Sequence, residues 1–155
     1  VAMDERLSLR GYRYYYMRSL RALIHRKKRI FPQGYDVRGL DDVRSFLEFD
    51  NRYIAPPFGF DDAYDYYDKA SAKNVVADIR LPTLLIHAKD DPVTPFYDNM
   101  LPQVFLNPAI TRLTPDDGGH CAFIGNAPCS NEDWQDLDHY WAENRCLEFF
   151  ARLNA

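Results

Sequence analysis

Two loops of this sequence carry residue types suited to acid–base chemistry. One holds Asp90-Asp91-Pro92 followed by Val93-Thr94-Pro95, and the other holds Gly118-Gly119-His120. A buried carboxylate that accepts a hydrogen bond from a histidine Nδ1–H fixes the tautomer of the ring and stabilises its protonated form. Such a pair is the orienting acid and general base of a nucleophilic triad. Asp91 precedes His120 by 29 residues, a separation that fits a strand end, a crossover helix, a second strand and a loop. The glycines ahead of His120 allow a tight turn with backbone close to a reacting group. Plainer readings stand beside this one. Two acids before a proline also make an ordinary solvated turn, and a loop histidine often has no task.

The elements that must position these residues follow from periodicity. Residues 5–29 read as one long helix with Leu9, Tyr12, Tyr16, Leu20 and Leu23 on a single face. Its last turn is basic (Arg26, Lys27, Lys28, Arg29), and Phe31-Pro32-Gln33-Gly34 ends it. Asp41-Asp42 is expected to cap a helix through Phe49. Ala55-Pro56-Pro57-Phe58-Gly59 breaks the chain, because neither proline continues a helix. Asp61 or Asp62 opens a further helix, and Ser71 another toward Ile79.

The period then changes. Thr83-Leu84-Leu85-Ile86-His87-Ala88 is a short apolar run, as expected of a strand covered on both faces in a parallel sheet. A helical turn or two within 96–106, a second strand over 109–113 and a long helix over 132–153 complete the pattern, with Ser130 as a natural N-cap. Strand, helix, strand, loop and helix in this order form a parallel unit needing a right-handed crossover. Both chemistry-bearing loops follow strands, where open α/β sheets place their sites.

Composition narrows the class. With 155 residues, 46% hydrophobic and 27% charged, the chain is a folded globular protein and not a disordered one. No run approaches the roughly 18 apolar residues that a membrane-spanning helix needs. The opening VAMDERLSLRGYR has charge and no apolar core, unlike a secretory leader. Cys121, Cys129 and Cys146 form no Cys-x-x-Cys pair and are odd in number, which points to buried free thiols in a reducing, cytoplasmic compartment. A zinc site from Cys121, Cys129 and His120 or His139 matches no structural zinc spacing. No cofactor is expected.

Joined together, these motifs resemble the C-terminal part of α/β-hydrolases: the run Thr83–Pro95, then Gly118-Gly119-His120 after the next strand. Phe49 to Phe60, FDNRYIAPPFGF, with Tyr66-Tyr67 after it, is similar to the YheT-like branch. The resemblance covers nearly the whole chain. It implies an α/β fold with a helical cap-like segment over 1–80 and part of the hydrolase core over 81–155. It also implies Asp91 as the triad acid, through the family's Asp-x-x-x-Pro spacing, and His120 as the general base. Asp90 is then a loop neighbour. The implied activity is that of a carboxylesterase or lipase on a small ester with an apolar acyl group, with the aromatic segments before residue 70 roofing the site.

One departure is large. The family carries its nucleophile on a Gly-x-Ser-x-Gly elbow ahead of the acid and base, whereas Ser8, Ser19, Ser45, Ser71 and Ser130 all lack that context. The expectation is therefore the C-terminal part of a longer serine hydrolase, inactive by itself. Two strands are too few for a stable sheet, so the missing N-terminal half or another copy of the chain should complete it. A rival reading rests on charge. Residues 1–40 hold ten Arg and Lys against three acids, and Tyr12, Tyr14, Tyr15 and Tyr16 interleave with arginines. That pattern suits a binding module for nucleic acid or an anionic membrane. Without a nucleic-acid module signature, an amphipathic cap helix is preferred and no nucleic acid is expected as a partner.

Overall fold

The residues between Glu5 and Asp36 include no acid, so the first helix is held by apolar packing and not by internal ion pairs. A computed structural model describes residue 4 and residues 7–95, 102–126, 128, 130 and 134–154. The chain divides into two compact units, Val1–Ser71 and Ala72–Ala155.

In the first unit, a 3-10 turn over Leu7–Leu9 leads into helix α1, Arg10–Ile30. Its buried residues are Met17 and Ile24, with Leu20 partly buried beside them. They meet Leu40, Val43, Phe49 and Tyr53 in one core cluster. Of the expected face, Leu9 is buried and Leu20 partly buried, but Tyr12, Tyr16 and Leu23 are exposed. Both stripes run at helical spacing. The buried one carries flexible aliphatic side chains, which interdigitate with the following helices at lower cost than stacked tyrosines.

Helix α2, Phe46–Tyr53, starts later than expected, and its cap is Ser45 rather than Asp41-Asp42. Those aspartates lie in a 3-10 turn, Leu40–Asp42. Ser45 Oγ accepts from the Glu48 amide, and the Glu48 carboxylate accepts from the Ser45 amide, a reciprocal capping box. The Asp4 carboxylate takes the amides of Phe46 and Leu47 at 3.0 and 3.2 Å, so two more free N–H groups of the helix start are satisfied. Pro56–Phe58 forms a 3-10 turn, and Asp62 caps helix α3, Ala63–Lys69, as anticipated. Phe60, Tyr64, Tyr66 and Tyr67 pack edge-to-face or tilted against one another, and the Tyr67 hydroxyl donates to Asp50.

The second unit opens with 3-10 turns at Ala72–Asn74 and Val76–Asp78, where a helix toward Ile79 was expected. Strand β1, Thr83–Ile86, pairs in parallel with β2, Ile110–Leu113, with Thr83 opposite Ile110 and Ile86 opposite Leu113. Helix α4, Pro102–Leu106, lies between them in sequence; the expected turns at 96–101 fall outside the described residues. Buried Asn107 ties the unit together: its amide donates to the carbonyls of Val76 and Ile79, and its oxygen accepts from Ala109.

Helix α5, Trp141–Leu153, is shorter than the helix expected over 132–153. Asn144, almost fully buried, explains the late start. Its side chain binds the backbone of Leu137, Asp138 and Tyr140, holding that stretch in a turn. Ser130 pairs with Gln135 in an isolated antiparallel bridge and does not cap α5. Replacing Ser45 by Ala removes one half of the capping box and should cost about 1 kcal/mol, readable as a lower urea midpoint with an unchanged slope.

Candidate functional site

Pairing between the strands continues beyond their ends. The His87 amide donates to Leu113 O at 3.0 Å and the Lys89 amide to Pro115 O at 2.9 Å. The Lys89 ammonium then reaches Asp116 at 2.7 Å. The two following loops therefore leave the sheet side by side, and Asp91 and His120 arrive together.

Asp91 is 6% exposed. Its Oδ1 accepts from the amides of Val93 and Thr94 at 2.8 and 2.9 Å, while Oδ2 accepts from Thr94 Oγ1 at 2.7 Å. The same Oδ2 lies 3.0 Å from His120 Nδ1. Burial pushes the Asp91 pKa up. The hydrogen bonds from Thr94 Oγ1, from His120 and from the two amides outweigh it and hold the carboxyl well below the usual carboxylate range. An ionised carboxylate only accepts, so His120 Nδ1 carries the hydrogen and a neutral ring keeps its lone pair on Nε2. The His120 side chain is about half exposed, at 48%.

Both glycines before His120 have a steric reason. A Cβ on Gly118 would lie 2.6 Å from the Phe123 ring and 2.9 Å from Ala88 Cβ. Gly119 sits at φ +64°, in the left-handed region. Phe123 closes the turn: its amide donates to Gly118 O, its carbonyl accepts from the first amide of α5, and its ring stacks on Trp141. Phe123 itself holds φ +45°, an uncommon conformation for a bulky residue.

The spacing of the loops was the signal for Asp91 and His120, but three supporting residues carried no such signal. Thr94 supplies two of the bonds to Asp91, which the Asp-x-x-Thr spacing of a side-chain turn hints at. His87 Nε2 donates to Thr94 O at 2.8 Å and lies 3.7 Å from Asp91 Oδ2. Asp90 accepts from the Gly119 amide at 2.8 Å. Cys121 is an exposed free thiol, contrary to the expected burial, and Cys129 lies outside the described residues. Among the described residues, no three His, Cys, Asp or Glu side chains gather where a metal ion would need them. Nor is any helix among them long and apolar enough to cross a membrane.

Comparison with known proteins adds a line of evidence independent of this geometry. The medium-chain fatty acid ethyl ester synthase/esterase 2 of Saccharomyces cerevisiae is 38% identical over 111 residues, covering 72% of this chain and 22% of that protein. The Escherichia coli protein named "Putative esterase YheT" is 36% identical over 129 residues, 81% of this chain and 37% of its own length. The chain belongs to the YheT-like branch of the α/β-hydrolase superfamily. A monoacylglycerol lipase of Saccharomyces cerevisiae is also similar, 36% identical over 95 residues, 60% of this chain and 21% of that protein. This α/β-hydrolase chain thus spans between about a fifth and somewhat over a third of the length of the curated relatives it matches. No protein-family model and no solved structure gives a match.

The depressed Asp91 pKa has a consequence with a definite sign. A carboxyl held lower in the folded than in the unfolded chain contributes stability above the unfolded value of about 4, and that stability is lost as pH falls through the folded value. Thermal stability should therefore decline below about pH 4, and Asp91→Asn should flatten that acid limb in melting curves collected across pH.

Proposed function

We propose that this chain supplies the acid and base of a Ser-His-Asp triad in a serine hydrolase acting on esters of apolar acyl groups. The observation that carries the reading is the 3.0 Å contact between His120 Nδ1 and a buried, hydrogen-bonded Asp91, with the ring itself half exposed. The names of its relatives, esterases and a lipase, support the substrate class.

In this mechanism a serine from outside the chain attacks the ester carbonyl. His120 Nε2 takes the hydroxyl proton and returns it to the departing alcohol, and the positive ring is stabilised by Asp91, which stays ionised. Water then attacks the acyl-serine by the same route, with His120 again as base. No serine here has the context of a nucleophile elbow, so the chain by itself is inactive under this proposal. The remaining hydrolase strands, or a second copy, would extend the two-stranded sheet.

Asp91→Asn and His120→Ala in the full-length protein should each lower p-nitrophenyl ester hydrolysis by on the order of 10³-fold or more. Wild-type rates in either variant would end the triad reading.

One observation favours a second activity. Tyr12, Tyr14 and Tyr15 of α1 are each more than half exposed, and Arg10, Arg18, Arg26 and Arg29 of the same helix are exposed as well. An acid-free face of tyrosine and arginine is suited to an anionic surface. Binding to phosphatidylglycerol vesicles that weakens steeply with added salt, and is lost on Tyr12→Ser/Tyr15→Ser substitution, is the expected result. Equal binding to neutral vesicles would exclude this reading, and selective binding to an oligonucleotide would replace it with a nucleic-acid one.

A further inference from the structure

We propose that Asp90 is a positioning residue for His120, an inference that rests on the triad reading. The two adjacent carboxylates reach the same loop at different points. Asp91 Oδ2 meets the His120 ring at 3.0 Å, and Asp90 Oδ1 accepts from the Gly119 amide at 2.8 Å. Among the described residues one hydrogen bond holds the half-exposed His120 ring, and a contact at the ring restrains the backbone beneath it only indirectly. Asp90 removes part of the remaining freedom by fixing the peptide one residue before His120.

The location of the tie matters. Gly119, at φ +64° and with nothing within 4 Å of where a Cβ would stand, is an open point of the loop. Gly118, by contrast, is pressed between Phe123 and Ala88, and Phe123 closes the far end through Gly118 O. On the near side, Lys89 pairs with Asp116. Asp90 therefore restrains the stretch that packing leaves open, between the Phe123 closure and the ring. A hydrogen bond with an ionised acceptor is shorter and stronger than a neutral one, so a carboxylate suits the position even where solvent reaches it.

An ordinary turn-forming acid would bond within its own turn, as Asp91 does with Val93 and Thr94. Asp90 instead reaches 29 residues along the chain to the loop that carries the base. Both side chains reach that loop because a turn closes at this point, with the Asp91 amide directed at Ala88 O.

The test compares Asp90→Ala, Asp90→Asn and His120→Ala in the full-length protein, using a p-nitrophenyl ester and normalising rates to folded protein. Misplacing a catalytic group by a fraction of an ångström to one ångström costs about ten- to a hundredfold in rate. Asp90→Ala should therefore lower kcat about tenfold or more with KM nearly unchanged. Asp90→Asn keeps an acceptor oxygen for the Gly119 amide and should recover to within about threefold of wild type. The His120 Nδ1–H proton resonance should persist in Asp90→Asn and broaden by solvent exchange in Asp90→Ala. Wild-type kcat in Asp90→Ala, equal losses in both Asp90 variants, or a change confined to KM would each overturn the proposal while leaving the triad intact. If His120→Ala itself retains the wild-type rate, the triad reading fails and this inference fails with it.

Discussion

The hydrogen bonds between β1 and β2 do not stop at Ile86 and Leu113. They run on through the His87 and Lys89 amides to Leu113 and Pro115, so the register of a four-residue parallel pair also sets the register of the two loops beyond it. A parallel pair has both carboxyl ends on one side, and any two loops leaving it must be neighbours. The contact between Asp91 and His120, the Asp90–Gly119 bond and the Lys89–Asp116 pair all depend on that alignment. A slip of one residue would turn every side chain of the strand to the opposite face and bring different atoms of the loops together.

That alignment permits an unfavourable burial. A carboxylate taken out of water is costly unless its lone pairs are satisfied. Asp91 meets the requirement with two amides, a hydroxyl and an imidazole N–H. Three of the four come from its own turn and need no tertiary structure beyond it. The fourth comes from His120, so the group most dependent on the sheet is also the group that would do the chemistry. Local satisfaction of the acid leaves the ring as the element that must be held, and its loop is tied by Asp90 at the Gly119 amide and by Phe123 at Gly118 O.

The helical unit was legible in kind but not in detail. Periodicity located α1, α2 and α3, and the Asp62 cap of α3 follows from the sequence rule for N-caps. The buried side of α1 did not follow, because Leu9-Tyr12-Tyr16-Leu20-Leu23 and Met17-Leu20-Ile24 both satisfy helical spacing. Packing with Leu40, Val43, Phe49 and Tyr53 buries Met17 and Ile24 and leaves Tyr12, Tyr16 and Leu23 exposed. The sequence puts Asp41-Asp42 forward as the cap of α2, whereas the structure uses Ser45 with Glu48. The late start of α5 depends on Asn144, whose amide side chain reaches back to residues 137–140.

Features that are local or read along the chain are legible without coordinates: the order of the main helices and strands, the α/β class, and the candidacy of Asp91 and His120. Helical period, capping residues and β-branched or apolar runs act over three or four neighbours, so they can be read without coordinates. Tertiary structure alone decided which face of α1 is buried, that Cys121 is exposed, and that Asp90 bonds to Gly119 rather than within its own turn. These depend on pairing between segments about 30 residues apart. Such a contact is set by strand register and by the space left between side chains, quantities that no local pattern encodes.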